Sequence, residues 1–133
     1  EFGSNYLLFV IFMTWINDIS AFVIGKKIGK RKLSNISPNK TIEGFLGSLI
    51  ISIIICHYLL TALNVELSIN YIYLGALMSL SCNIGDLFES FIKRKFKKKD
   101  SGKIMLGHGG ILDRLDSLLL SAPLFYLISI YSN

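Results

Sequence analysis

The 133-residue chain is 52% hydrophobic, yet it carries a formal net charge of +5. Together with a mean hydropathy of +0.55, this departs from an ordinary soluble domain and points to hydrocarbon-spanning segments separated by basic loops. Two cysteines and two histidines form no zinc or disulfide pattern, so Cys56 and Cys82, both in apolar stretches, read as small packing residues.

Glu1-Phe2-Gly3-Ser4 reads as a cloning scar, which leaves 5–133 to interpret. The first apolar stretch lacks the basic flank and small-residue cleavage site of a signal peptide. Four apolar stretches follow, at about 6–25, 45–63, 71–91 and 111–131, each near the roughly 20 residues that a helix needs to cross a bilayer. The expected fold is all-α, a polytopic membrane protein with about four transmembrane helices. A basic loop (26–44) joins the first pair, a short link (64–70) the second, and another basic loop (92–110) precedes the fourth helix. All 14 Lys and Arg residues fall in or beside these two loops. Two helices separate the loops, so both lie on one side, and the charge bias makes that side cytoplasmic.

The apolar stretches carry polar stripes. Thr14, Asp18, Ala21 and Gly25 recur on one face of the first helix, and Asn83, Asp86, Ser90 and Lys93 on one face of the third. Asp113 and Asp116, one turn apart, open the fourth helix after Gly109-Gly110. A carboxylate at bilayer depth costs about 2.5–3.5 kcal/mol, so each should face protein or a wet cavity. For one such acid, pairing with a nearby Lys or Arg is the plainer account. Four of them near one membrane face, Asp18, Asp86, Asp113 and Asp116, favour a shared metal or phosphate site.

Mg²⁺ takes oxygen ligands, usually one or two carboxylates plus water and substrate phosphates, which suits Asp86, Asp113 and Asp116. His57, inside an apolar helix, reads as a core or interfacial residue. His108 stands in Leu106-Gly107-His108-Gly109-Gly110, where glycines allow close backbone approach to an anion and a helix N-terminus offers unpaired N–H groups. Alone, such a turn is equally an ordinary helix start. The lysine-rich run 93–103 suits acidic lipid, whereas nucleic acid does not fit, because the basic residues are held against the membrane without an interleaved aromatic platform. Carboxylates for metal, cations for phosphate and glycine turns are equipment for phosphoryl or nucleotidyl transfer.

Three blocks carry a family resemblance. Ser90-Phe91-Ile92-Lys93-Arg94, Lys99-Asp100-Ser101-Gly102 and Gly107-His108-Gly109-Gly110-Ile111-Leu112-Asp113-Arg114-Leu115-Asp116 resemble the signature of the CDP-diacylglycerol synthase (phosphatidate cytidylyltransferase) family. Trp15, Asp18, Ala21 and Gly25, followed by Ser37-Pro38-Asn39-Lys40-Thr41-Ile42-Glu43-Gly44, are similar to its other characteristic block, and Gly85-Asp86-Leu87-Phe88-Glu89-Ser90 is a third match. Leu106 departs from the family's usual proline and Ile19-Ser20 from its commoner Thr-Gly. The likeness covers nearly all of 5–133 and corresponds to the C-terminal catalytic half of the family, whose full members have further transmembrane helices upstream.

The resemblance implies the reaction of CTP with phosphatidic acid to give CDP-diacylglycerol and pyrophosphate. It implies Mg²⁺ on Asp86, Asp113 and Asp116, with Asp18 supporting them or holding a second cation. Lys40, Lys93, Arg94 and Lys99 would meet the triphosphate and the lipid phosphate, and His108 with the Gly109 and Gly110 amides would bind phosphate oxygens. Ser90, Asp100 and Arg114 belong to the same expected substrate site, and Asp86, Asp113, Lys93 and His108 form the expected catalytic set. Without the upstream helices to wall the cavity, the chain is expected to be inactive alone. Small residues such as Gly44, Gly47 and Ser48 suit close packing against a partner helix and allow a homodimer. Two other readings stay open: a CTP-dependent polyprenol kinase with similar metal and basic loops, and a transporter or channel fragment whose acids hold an ion in transit.

Overall fold

The structure, a computed structural model, describes residues 3–34, 37, 39–95 and 112–132, with the backbone alone for 112–116. It contains α1 (Ser4–Ile28), α2 (Ile42–Ala62), α3 (Tyr71–Lys95) and α4 (Leu112–Tyr131). The expected all-α fold is borne out; among the described residues the extended pairing is a single bridge between Lys32 and Thr41. Helix α1 and helix α3 extend past their apolar stretches, and the added residues include Lys26 and Lys27 on one and Lys93, Arg94 and Lys95 on the other. Cations in a last turn complement the helix dipole, so the helix outlasts the hydrophobic run. Helix α2 starts earlier than its apolar stretch because the Thr41 hydroxyl accepts the Gly44 N–H at 3.1 Å and caps it.

The bundle is apolar outside and partly polar inside. Phe9, Val10, Met13, Cys56, Leu74, Met78 and Phe125 form a buried apolar cluster. Nearer the basic loops the interior changes to Thr14, Asn17, Ser48, Ser52, Ser79, Asn83, Ser117 and Ser121, all buried. Trp15, Ile19, Phe22, Leu46, Ile50, Ile54, Ile84, Phe88, Leu119 and Leu127 point outward. Water would invert this pattern, whereas against lipid tails small polar contacts are what hold helices together. By length and composition α1 and α2 suffice to cross a membrane, and α4 contributes a shorter apolar stretch, Ser117–Tyr131. Helix α3 falls short of that standard because Ser79, Ser81, Asn83 and Asp86, most of them turned inward, dilute its apolar residues.

Helix α1 packs against α2, α3 and α4, while α3 packs against α2 and α4. At the end away from the basic loops, the Tyr6 hydroxyl donates to the Glu66 carbonyl at 3.2 Å and the Ile69 N–H donates to Ser132 Oγ at 3.0 Å. There Asn64 adopts a left-handed φ of 50°, a conformation that asparagine tolerates better than most residues. The opposite end gathers the end of α1, the start of α2, the second half of α3 and the start of α4, as an alternating four-helix chain requires.

Close backbone approach sets the packing at two glycines. A Cβ on Gly44 would lie 2.7 Å from the Ala21 carbonyl oxygen, and one on Gly75 2.8 Å from Ile53 Cα. Gly47 faces Ile24, and Ser48 is fully buried beside Asn83. The small-residue face Gly44, Gly47 and Ser48 therefore serves α1 and α3 of the same chain. Replacing Gly75 with valine should force α2 and α3 apart and lower stability by about 1–3 kcal/mol. A drop in the unfolding midpoint in detergent would register this, with exposed Ile72→Val close to wild type.

Candidate functional site

Four elements meet where the polar interior reaches the basic loops. Asp86 of α3 forms an ion pair with Lys40, Oδ2 to Nζ 2.5 Å. The Ser117 hydroxyl of α4 lies 2.8 Å from Asp18 Oδ2 and 3.1 Å from Asp86 Oδ1. A hydroxyl carries one hydrogen, so a single donor is shared between two carboxylates from different helices. Asp18 Oδ1 is buried and has no hydrogen-bond partner among the described residues. Counted over Asp18, Asp86 and Lys40 alone, two carboxylates against one ammonium leave one negative charge.

The first basic loop is folded so as to deliver Lys40. The Glu43 carboxylate accepts the backbone N–H groups of Lys30 at 3.1 Å and Arg31 at 3.2 Å. The chain then returns antiparallel: Leu33 N–H donates to the Lys40 carbonyl at 2.8 Å and Ile42 N–H to the Arg31 carbonyl at 3.0 Å. Thr41 sits where a side chain at Gly25 or Gly29 would otherwise be, since a Cβ there would lie 2.9 Å and 2.6 Å from its hydroxyl. The result is a cavity of about 500 Å³, within the usual range for ligand sites. Asp18, Gly25, Lys40, Thr41, Asn83 and Asp86 are among its lining residues, together with Ser37 and Asn39 of the same loop.

A neutral network supports this floor. Asn17 Oδ1 accepts from Ser79 Oγ at 2.7 Å, Ser52 Oγ at 3.3 Å and Asn83 Nδ2 at 3.5 Å, so it ties α1 to α2 and α3 next to Asp18. Asn83 Nδ2 also donates to the Ser79 carbonyl at 2.8 Å and to Ser48 Oγ at 3.2 Å. The sequence reading passed over Asn17, Ser52, Ser79 and Ser117. The recurrence of Ser48 with Ser52 and of Ser79 with Asn83, each one turn apart in apolar helices, was the available signal.

Of the expected site residues, Asp18, Asp86 and Lys40 come together. Ser90, Lys93 and Arg94 lie further along α3, beyond the described lining of the cavity, and Lys93 pairs at 2.9 Å with Glu89, which is buried. That contact, between residues one turn apart, is not one the expected catalytic role for Lys93 anticipated. Asp113, Arg114 and Asp116 belong to the first turns of α4, just before Ser117, but their side chains lie outside the described residues. Lys99, Asp100, His108, Gly109 and Gly110 also lie outside them. His57 is exposed at the other end of α2, its ring 4.9 Å from that of Tyr71. Among the described residues no three His, Cys, Asp or Glu groups converge as a metal cluster.

The sequence profile of the cytidylyltransferase family matches residues 1–131. The chain belongs to this family. It is 42% identical over 137 aligned residues to the phosphatidate cytidylyltransferase of Bacillus subtilis (strain 168), covering 99% of this chain and 50% of that protein. It is 44% identical over 133 residues to the phosphatidate cytidylyltransferase of Staphylococcus aureus (strain COL), covering 98% and 51%. With that of Staphylococcus haemolyticus (strain JCSC1435) the identity is 44% over 130 residues, covering 96% and 50%. The chain thus spans about half the length of the relatives it matches, and the resemblance read from its motifs is borne out.

Replacing Asn17 with leucine would strip the acceptor from Ser52, Ser79 and Asn83 inside the bundle. The expected cost is about 1–3 kcal/mol for donors left unsatisfied, seen as a lower unfolding midpoint in detergent.

Proposed function

We propose that this chain forms the metal-binding half of a membrane enzyme that transfers the CMP part of CTP to phosphatidic acid, releasing pyrophosphate. The observation that carries this reading is the meeting of Asp86, Asp18, Lys40 and Ser117 at the wall of one cavity. Relatives over nearly the whole of this chain that bear the name phosphatidate cytidylyltransferase support it.

In this reaction a phosphate oxygen of phosphatidic acid attacks the α-phosphorus of CTP, and the bond to the β-phosphate breaks. The nucleophile is already anionic, so the site needs no strong general base. The obstacle is repulsion between two polyanions. The residues present fit Mg²⁺: their donors are carboxylate oxygens, one of them buried and unpartnered among the described residues, and their formal charge is negative. Asp18 and Asp86 would hold the ion, with Asp113 and Asp116 contributing from α4, and a second cation is compatible with four carboxylates. When bound, Mg²⁺ neutralises charge on the reacting phosphates and on the leaving pyrophosphate.

The chain's own groups do the rest. Ser117 keeps the two carboxylates in register. Lys40 places a positive charge at the cavity wall, where it can meet a CTP phosphate. Lys93, Arg94, Lys99 and Arg114 are further cations for phosphate, with His108, Ser90, Asp100 and the amides of Gly109 and Gly110 completing the substrate contacts. All four helices cross the bilayer and the site opens on the cytoplasmic side, where the basic loops lie.

In the full-length enzyme, Asp86→Asn should lower CMP transfer by about 100-fold or more, the scale on which a preorganised electrostatic contact acts, while membrane insertion is unchanged. The measurement follows α-labelled CTP into lipid at saturating Mg²⁺; wild-type turnover by the variant would sink the assignment, and γ-label on lipid would mark a kinase instead. Single cysteines at Lys30 and Glu66 should react with an impermeant maleimide from opposite faces of sealed vesicles. Both positions are exposed, whereas the native Cys56 and Cys82 are buried.

A further inference from the structure

Trp15, Ile19, Phe22 and Lys26 form a second stripe on α1, displaced by one residue from Thr14, Asp18, Ala21 and Gly25. One residue is about 100° of helix rotation, so the two stripes run side by side. The inner stripe faces the acid pair. The outer one faces away from the bundle, with Trp15 57%, Ile19 62% and Phe22 68% exposed. Phe22 and Lys26 nevertheless also line the cavity, and the Lys26 ammonium lies 5.8 Å from the centroid of the Phe22 ring. The α1 wall of the cavity is therefore also outer surface, and an apolar track along the helix ends there in a cation.

We infer that this edge is where the lipid substrate docks, its anionic phosphomonoester headgroup against Lys26 and an acyl chain along Trp15, Ile19 and Phe22. The inference rests on the function proposed above and names the residues that would take its lipid. Charge and position both argue for it. Asp18 lies two turns from Lys26, about 12 Å along the axis, so Lys26 can hold a phosphate at the rim while the carboxylates stay free for the metal. A lysine that merely snorkelled to the interface or complemented the helix end would need no place in the cavity. Lys27, also exposed beside it, has none among the described lining residues.

Trp15 is the single tryptophan of the chain, and it reports on this face directly. In vesicles, phosphatidic acid brominated on its acyl chains should quench Trp15 more than brominated phosphatidylglycerol at equal mole fraction, and with a local enrichment of about fivefold over brominated phosphatidylcholine. Lys26→Gln should remove that preference and Lys27→Gln should keep it. Equal quenching by phosphatidic acid and phosphatidylglycerol, a preference that survives Lys26→Gln, or no quenching because protein covers the face would each overturn the inference. The two readings fail separately: retained selectivity in an enzyme unable to make CDP-diacylglycerol would leave the dock and sink the function, while turnover without selectivity would do the reverse.

Discussion

Two carboxylates on different helices share one hydroxyl, and much of the architecture follows from keeping them there. An ionised acid at bilayer depth is tolerated where protein or water receives it. Asp86 meets this condition through Lys40, and Asp18 through Ser117 on one oxygen. The other oxygen of Asp18 stays unsatisfied among the described residues, an arrangement that favours whatever brings positive charge to the site. A cation bound there would relieve the same electrostatic imbalance that burying the acid creates.

Holding this imbalance in place demands rigidity from helices that have little hydrophobic reason to associate. The chain supplies it in two ways. Gly44 and Gly75 let helix backbones approach closely, and Asn17 gathers hydroxyl and amide donors from α2 and α3 directly beneath Asp18. The network is neutral, so it positions the acids without cancelling their charge. Below it the interior becomes largely apolar around Phe9, Met13, Leu74 and Met78. The bundle thus grades from apolar cluster through neutral polar layer to charged site.

Much of this was legible in the residues themselves. Asp18 and Asp86 announced themselves because charge in an apolar run is costly, and Lys40 because it stands in a motif. Ser117 and Asn17 did not, since neither carries a charge, and only helix rotation and packing decide which uncharged polar residue meets a partner. The ends of α1 and α3 were missed for a related reason: hydropathy reports where lipid stops, whereas hydrogen bonding and terminal cations decide where a helix stops. The contact of Lys93 with Glu89 was readable from spacing alone, but the phosphate-binding role implied by the motif drew attention away from it. The backbone of Asp113 and Asp116 lies in the first turns of α4, just before Ser117, while their side chains and the His108 turn lie outside the described residues.

The tether of the first basic loop has a corollary. Glu43 holds the loop through the main-chain amides of Lys30 and Arg31, and the return strand is likewise a backbone pairing. Main-chain contacts are blind to the side chains they carry. The side chains of residues 30–33 can therefore change without loss of the geometry that presents Lys40, provided Glu43 is kept.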